Sequence, residues 1–383
     1  MKEAIAIKNV GPLADIMMED IRPFTVIIGP SGSGKSLLMK IISLMRFIYK
    51  RACVRSFLLN AGLKKAPFRI RLDSLLHDDL KYYLTRPGVA VRYTVTADSG
   101  NGYDIEIVGG KVKLPRTIPD SDLIFTKESW VSETRNIIAS WKSNPANSKG
   151  SLGYYFYETM SDFDEAAAFE KNVDMDYIGA KMSVTMTNGV RRYMLAIPGI
   201  HDAIELRYAS SGIQTSAPLS MLAQYFAKTF SFKEAKRRSV LSYLYETDQL
   251  ATFHPHIELA DIDSVVNMHV EEPELSLDPE AQIQLVQDMV RTAFGKAQNR
   301  MTLMFATHSP YIVNAINLII NKRTEKDAYI AAENAAAYKI FNGRLINLMS
   351  TDGFEAPLVD TSDLSAPMER IYNDYIQLKS TKG

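Results

Sequence analysis

The chain has one cysteine, Cys53, in 383 residues. No intrachain disulfide framework is available, and such scarcity suits a reducing cytosol. No stretch approaches the roughly 18–20 uninterrupted apolar residues that a spanning helix needs. The opening MKEAIAIKNVGPL is too polar for a secretory signal. The expectation is a soluble cytoplasmic protein with no membrane partner. Net charge is also lacking, because 44 basic side chains offset 44 acidic ones. Composition alone therefore gives no electrostatic reason to expect nucleic acid or a membrane surface. No heptad is sustained, which argues against a long coiled coil, and no repeat or low-complexity linker divides the chain. What is abundant is apolar material, 46% of residues, ample for a sizeable core.

The patterning predicts an α/β fold. AIAIKNVGPLADIMMEDIRPFTVIIG reads as two short strands and a third, FTVII, whose continuous β-branched run suits burial on both faces. A helical period begins at Lys35. Residues 88–114 alternate and carry SGNG, a hairpin or meander signal, and 122–126 predict a further strand. Residues 136–200 are less regular and include an acidic segment; they read as an insertion or arm, mostly helical. Beyond Ser210 the pattern predicts a helix over 218–230, a strand over 264–270 and a helix over 279–293. A strand over 301–307, a helix over 310–320, a small hairpin and a closing helix over 365–378 follow. Alternation on this scale predicts a largely parallel or mixed sheet with helices on both faces. The expected organisation is one head in three parts: an N-terminal lobe (1–135) with an antiparallel β subdomain, the insertion (136–205) and a C-terminal lobe (206–383).

Four motifs carry chemistry. Gly29-Pro30-Ser31-Gly32-Ser33-Gly34-Lys35-Ser36 fits the P-loop spacing between a predicted strand and a predicted helix. Glycines let successive backbone N–H groups face phosphate oxygens, and the helix dipole favours the anion. Lys35 can reach the β- and γ-phosphates of ATP, and the Ser36 hydroxyl can ligate Mg²⁺. In VVNMHVEEPELSLDP, Glu271 and Glu272 end an apolar strand; one acid can hold Mg²⁺ and the next can polarise the attacking water. Phe305-Ala-Thr-His308-Ser-Pro places a histidine at the end of the next strand, within reach of a γ-phosphate or that water. Ser210-Ser211-Gly212-Ile213-Gln214 precedes an apolar helix; it is first a turn, and it can also present N–H groups to an anion.

Taken in order, these motifs resemble the ABC-type ATPase heads, in particular the AAA-labelled branch similar to overcoming-lysogenization-defect (OLD), RecF and SMC ATPases. The pair IKNVGPL and TVIIGPSGSGKS looks like the ATPases of bacterial anti-phage systems such as Septu, retron-associated operons and PARIS. The resemblance covers the first 45 residues and most of 205–350. It implies an ABC-ATPase-like P-loop fold and ATP with Mg²⁺ as cofactors. It also implies a homodimer or higher oligomer in which Ser210, Ser211, Gly212 and Gln214 complete the partner's nucleotide site. Asp278 then falls in the D-loop and His308 in the switch loop, with Glu272 as catalytic base.

Three departures stand out. No glutamine precedes Gln214, so the family's Q-loop glutamine is missing, and Lys127, Glu128 or Arg135 are its candidate substitutes. Glu271 replaces the usual aspartate, one methylene longer, which suggests slow turnover because Mg²⁺ demands tight geometry. Ile213 replaces the second glycine of the commoner signature. Around these motifs, eight basic residues and no acid lie between Arg46 and Arg71. They form either a patch for nucleic acid or an acidic partner, or a solvated helix face balanced by the acidic 158–176 segment. His254 and His256 read as loop residues. The stretch after His308 is short for an appended nuclease domain. The expected function is an ATPase that dimerises around ATP and controls a separate effector, a nuclease or toxin in anti-phage defence. Its rivals are a RecF- or SMC-like DNA-repair ATPase and an ATP-binding scaffold or inhibitor with little turnover.

Overall fold

The computed structural model describes residues 1–63, 68–141, 153–246, 253–295, 297–321, 329–350 and 357–380. The chain opens with β1 (Lys2–Val10), β2 (Leu13–Met18) and β3 (Phe24–Ile28), then the long α1 (Lys35–Asn60) and the short α2 (Asp78–Leu84). An antiparallel meander follows, β4 (Ala90–Thr96), β5 (Gly102–Val108) and β6 (Lys111–Lys113), and then β7 (Ile124–Val131). The insertion carries α3 (Ile137–Trp141), α4 (Tyr154–Phe169), β8 (Asn172–Met175), β9 (Ala180–Thr187), β10 (Val190–Ala196) and β11 (Ile204–Glu205). The rest holds α5 (Ser211–Gln224), α6 (Phe232–Glu246), β12 (Asp263–Glu271), α7 (Pro279–Val290), β13 (Met301–Thr307) and α8 (Pro310–Asn321). It closes with β14 (Ala335–Phe341), β15 (Arg344–Asn347), β16 (Met349–Ser350), β17 (Leu358–Val359) and α9 (Ser362–Ser380).

One sheet of 11 strands draws on both ends of the chain, in the order β6-β5-β4-β1-β2-β15-β14-β3-β13-β12-β7. Strands β14, β3, β13, β12 and β7 run parallel to one another, whereas β1 pairs antiparallel with β2 and β4, β4–β5–β6 continue antiparallel, and β15 is antiparallel to β14. The expected α/β architecture, a mixed central sheet with an antiparallel β subdomain, is the one adopted. Period-two alternation sorts the strand side chains onto two cores. Phe24, Val26, Val266, Met268 and Phe305 join one core with α5, α7 and α8. Ile27, Val265, Met304 and Ala306 join the other with α1 and the N-terminal strands. All five residues of β3 are buried, as a strand covered on both faces requires.

The 136–205 segment differs from its mostly helical expectation. After α4 it forms a second, four-stranded antiparallel sheet in the order β11-β10-β9-β8. Its signal lies in KMSVTMTNGVRRYMLA. Thr187 pairs with Val190 across the two-residue loop Asn188-Gly189, whose φ values are +52° and +77°. Asn-Gly is the pair that a tight primed turn selects. The helix expected from Pro218 instead begins at Ser211, because the Ser210 hydroxyl caps it by accepting from the Ile213 N–H; Pro218 lies inside it.

The basic 46–71 run is neither a continuous surface stripe nor a solvated helix face. Lys64 and Lys65 lie outside the described residues. Arg46 is buried and Lys50 is half-buried over the Phe125 ring, 4.4 Å from its centroid. Arg51 lies over Phe68 at 4.4 Å. Arg46 is held by Glu3, donating from Nε at 3.1–3.2 Å and from Nη2 as well, and the Tyr93 hydroxyl donates to the same carboxylate at 2.6 Å. This cluster ties α1 to β1 and β4. Glu3→Ala leaves the guanidinium buried without a counter-charge and should cost about 3–5 kcal/mol. Denaturant titration checks this: the midpoint should fall for Glu3→Ala and recover in part for Glu3→Ala/Arg46→Met.

Candidate nucleotide site

The site forms where parallel strands end, the edge at which open α/β sheets generally bind ligands. Register sets its layout: Ile28 of β3 pairs with Thr307 of β13, Ala306 with Glu271 of β12, and Val270 with Val131 of β7. The P-loop leaves β3, the acidic pair leaves β12, His308 follows β13, and Ser132 with Arg135 follows β7. Four loops therefore converge on one edge.

In the P-loop, Gly34 has φ +100°, and a Cβ there would meet Leu13 Cδ2 at 2.7 Å. Only glycine fits both the backbone and the space. The helix behind it, α1, has no side-chain cap and no acid in its first turn. Among the described residues the buried Ser33 Oγ has no hydrogen-bond partner. Lys35 Nζ donates to the Gly29 and Pro30 carbonyls, at 2.9 and 3.1 Å, and burial lowers its pKa against the raising influence of Glu272 and Glu274. An uncapped helix end, an orphan hydroxyl and a cation parked on carbonyls are groups that a bound polyphosphate would satisfy.

Glu271 is buried at the end of β12. Burial raises its carboxyl pKa, moderated by Lys40, by a hydrogen bond from the Ser36 hydroxyl and by Trp130. Trp130 Nε1 donates to Oε2 at 3.3 Å. Ser36 and Glu271, the expected Mg²⁺ ligands, are thus adjacent, and a divalent cation there would return the carboxyl to its charged form. Glu272 is half-exposed, with Oε1 3.8 Å from His308 Nε2. Its backbone has φ +42°, a left-handed conformation rare for a non-glycine residue. The His308 N–H donates to Glu274 Oε1 at 2.7 Å, which fixes the loop that carries the ring.

The signature motif stands apart from these groups. Ser210 and Ser211 are exposed at the start of α5. They line a shallow pocket with Gly212, Ser276, Asp278 and Tyr177, to which no P-loop residue contributes. A Cβ on Gly212 would meet Ser276 O at 2.8 Å, so α5 packs closely on its own chain's 274–278 loop. The Gln214 amide turns back to the Arg207 and Ala209 carbonyls, at 3.0 and 2.9 Å. The Asp278 carboxylate caps α7, accepting from the Glu280 and Ala281 N–H groups at 3.1 Å each. Gln214 and Asp278 are therefore engaged within their own chain.

Of the three candidate Q-loop substitutes, two are committed elsewhere. Lys127 Nζ donates to Asp162 at 2.6 Å. Glu128 accepts from Asn267 Nδ2 at 2.8 Å and faces His269 Nε2 at 3.0 Å. Arg135 joins the site differently. Its guanidinium is fully buried and donates to Glu271 O at 2.8 Å, Glu272 O at 2.7 Å, Ser132 O at 3.2 Å and Thr215 O at 3.0 Å. Among the described residues no carboxylate hydrogen-bonds it, and burial pulls its pKa down to about 10. It links the acidic pair to the signature helix through backbone carbonyls. Trp130, Glu274 and this clamp were not singled out from sequence as a set, because each acts through a contact between distant segments.

The backbone at Glu272 yields a direct test. Strain of this kind costs on the order of 1–3 kcal/mol, and glycine relieves it at some cost in unfolded-state entropy. Glu272→Gly should leave thermal stability unchanged or raise it by about 1 kcal/mol. A fall in melting temperature would show that the side chain, not the backbone, sets the balance.

No family model matches this chain, and no curated protein does. Solved structures do resemble its fold. An SMC head bound to the C-winged helix domain of ScpA is 11% identical with a TM-score of 0.41, covering 91% of this chain and 97% of that one. The SMC head domain from Thermotoga maritima is 12% identical with a TM-score of 0.39, over 91% and 98%. RecF-ATPrS, a recombination mediator of the RecFOR pathway, is 12% identical with a TM-score of 0.36, over 91% and 97%.

Proposed function

We propose that this protein is an ABC-type ATPase that binds ATP with Mg²⁺, dimerises around it and hydrolyses it. The observation that carries this is the convergence on one sheet edge of an uncapped P-loop helix, the Ser36–Glu271 contact and the Glu272–His308 pair. Bound ATP and Mg²⁺ would supply the scissile phosphate and its charge neutralisation. The P-loop N–H groups and Lys35 would hold the phosphates, and Ser36 with Glu271 the metal. Glu272 would accept the proton of the attacking water, and His308 would hydrogen-bond at the γ-phosphate. Arg135 would keep the Glu272 backbone in its unusual conformation.

Dimerisation is supported by the separation within one chain of the signature serines from the P-loop. Ser210 and Ser211 are exposed, and the first turn of α5 holds no acidic residue, which suits a partner's γ-phosphate. Glu272→Gln should retain ATP and accumulate a dimer in sedimentation analysis, while Lys35→Ala should bind no ATP and stay at its resting oligomeric state. Normal hydrolysis by Glu272→Gln would remove that residue as the base, and an ATP-bound monomer would remove the shared site.

The output of this cycle would be conformational, acting on a separate effector, a nuclease or toxin in anti-phage defence. Support comes from the motif resemblance and from α9. Met368, Ile371, Tyr372, Tyr375 and Ile376 are exposed at helical spacing along it, forming an apolar stripe of the kind that meets another protein. The DNA-repair alternative draws no support from the basic run, whose Arg46, Lys50 and Arg51 pack against Glu3, Phe125 and Phe68. Bacteria carrying this gene with its neighbours should resist phage, and both Lys35→Ala and Ile371→Glu should abolish resistance. Plaque counts that do not respond to either substitution would rule out the defence role.

A further inference from the structure

A cavity of about 370 Å³ lies behind the nucleotide site, between α1, the turn before α2, β7 and α4. That volume falls in the range of small-molecule sites. Lys50, Arg51, Lys127, His77, Glu128 and Glu158 supply its charged and titratable lining. Most of these charges are already spent. Lys127 is paired with Asp162, and Glu128 is engaged by Asn267 and His269. Burial pushes the Glu158 carboxyl up towards its neutral form, with Tyr154 hydrogen-bonded to it.

Two cations are left over. Among the described residues Lys50 makes no hydrogen bond and no ion pair; its ammonium rests over the Phe125 ring. Burial and the nearby Lys127 hold its pKa down at about 8, against the raising influence of Glu128 and Asp162. Arg51 stacks over Phe68, and among the described residues its buried Nε has no hydrogen-bond partner. A half-buried ammonium on an aromatic ring and a buried donor without a partner cost free energy until an anion arrives. They sit side by side on α1 and line the same cavity.

We propose that this cavity is a second binding site, separate from the P-loop, for a small phosphate-bearing anion held by Lys50 and Arg51. Such ligands suit the pair, because an arginine fork and a lysine ammonium together match several phosphate oxygens. The cavity also touches the candidate metal site. Trp130 lines it and donates to Glu271 on the other side, so occupancy registers at a residue that reports by fluorescence.

The test uses the full chain carrying Lys35→Ala, so that the P-loop does not contribute. Calorimetric titration with inorganic phosphate and with glycerol 2-phosphate should show one site for at least one of them, with Kd below about 1 mM. Binding of phosphate alone identifies the free anion as ligand, and binding of the monoester identifies an ester; either outcome supports the site. Adding Lys50→Gln/Arg51→Gln should weaken binding by about tenfold or more, the loss of a charge-assisted contact. Lys50→Met, which keeps the aliphatic stem on Phe125, serves if the double variant loses its thermal transition. The chain has two tryptophans, so Trp141→Phe leaves Trp130 as the sole emitter; its emission should shift on titration. No binding of either probe, or binding unaffected by the substitutions, overturns the proposal.

Discussion

The arrangement of this molecule depends on one buried cation. Arg135 lies where β7, β12 and α5 meet, and carbonyls rather than carboxylates satisfy its guanidinium. It gathers Ser132, Glu271, Glu272 and Thr215, four positions on three separate segments, into a fixed spatial relation. A carboxylate partner would neutralise the charge and leave those carbonyls with nothing in common. Planar donors in fixed directions suit this task better than a lysine would. The positive φ of Glu272 persists because its surroundings over-determine it: its carbonyl is held by Arg135 and its N–H donates to Ala306 O at 2.8 Å. Any movement of α5 is thereby felt at the acidic pair.

A second pattern is the treatment of charge along the inner side of β7. Three ionisable groups there are partnered: Arg46 with Glu3, Glu128 with His269 and Asn267, Lys127 with Asp162. Desolvation makes this pairing obligatory rather than decorative. Against that background Lys50 and Arg51 stand out. Trp130 sits between the two regions, hydrogen-bonded to Glu271 and stacked against His269 at 5.7 Å. The candidate metal site and the cavity therefore share a wall.

Much of the parallel core was legible from local pattern. The run FTVII, the Gly-rich turn and the helix from Lys35 fall where periodicity and spacing put them, and the strand over 301–307 has those bounds. In the insertion an acidic, Ala-rich stretch outweighs the Asn188-Gly189 turn signal beside it, so the local pattern points to helix where the chain adds a four-stranded sheet. Pro218 drew the start of α5 too late; the capping serine eight residues earlier is the stronger determinant, since a helix tolerates a proline when tertiary packing holds it. The basic run was judged by charge alone, whereas the fold turns three of its members inward.

The chain by itself determined the local parts: a glycine-rich turn before a helix, a strand ending in two acids, a histidine after the next strand, and a serine-capped helix. Those follow from backbone sterics and hydrophobic period, which act over a few residues. Only the tertiary structure decided which parts meet. Strand register set Glu271 beside Ser36 and Glu272 near His308, the Arg135 clamp joined them to α5, and packing set Ser210 and Ser211 in a pocket lined by Ser276 and Asp278 but by none of residues 29–36. The reason is physical: contacts between residues far apart in sequence depend on how sheets and helices stack, and no short-range pattern encodes the partner of a buried charge.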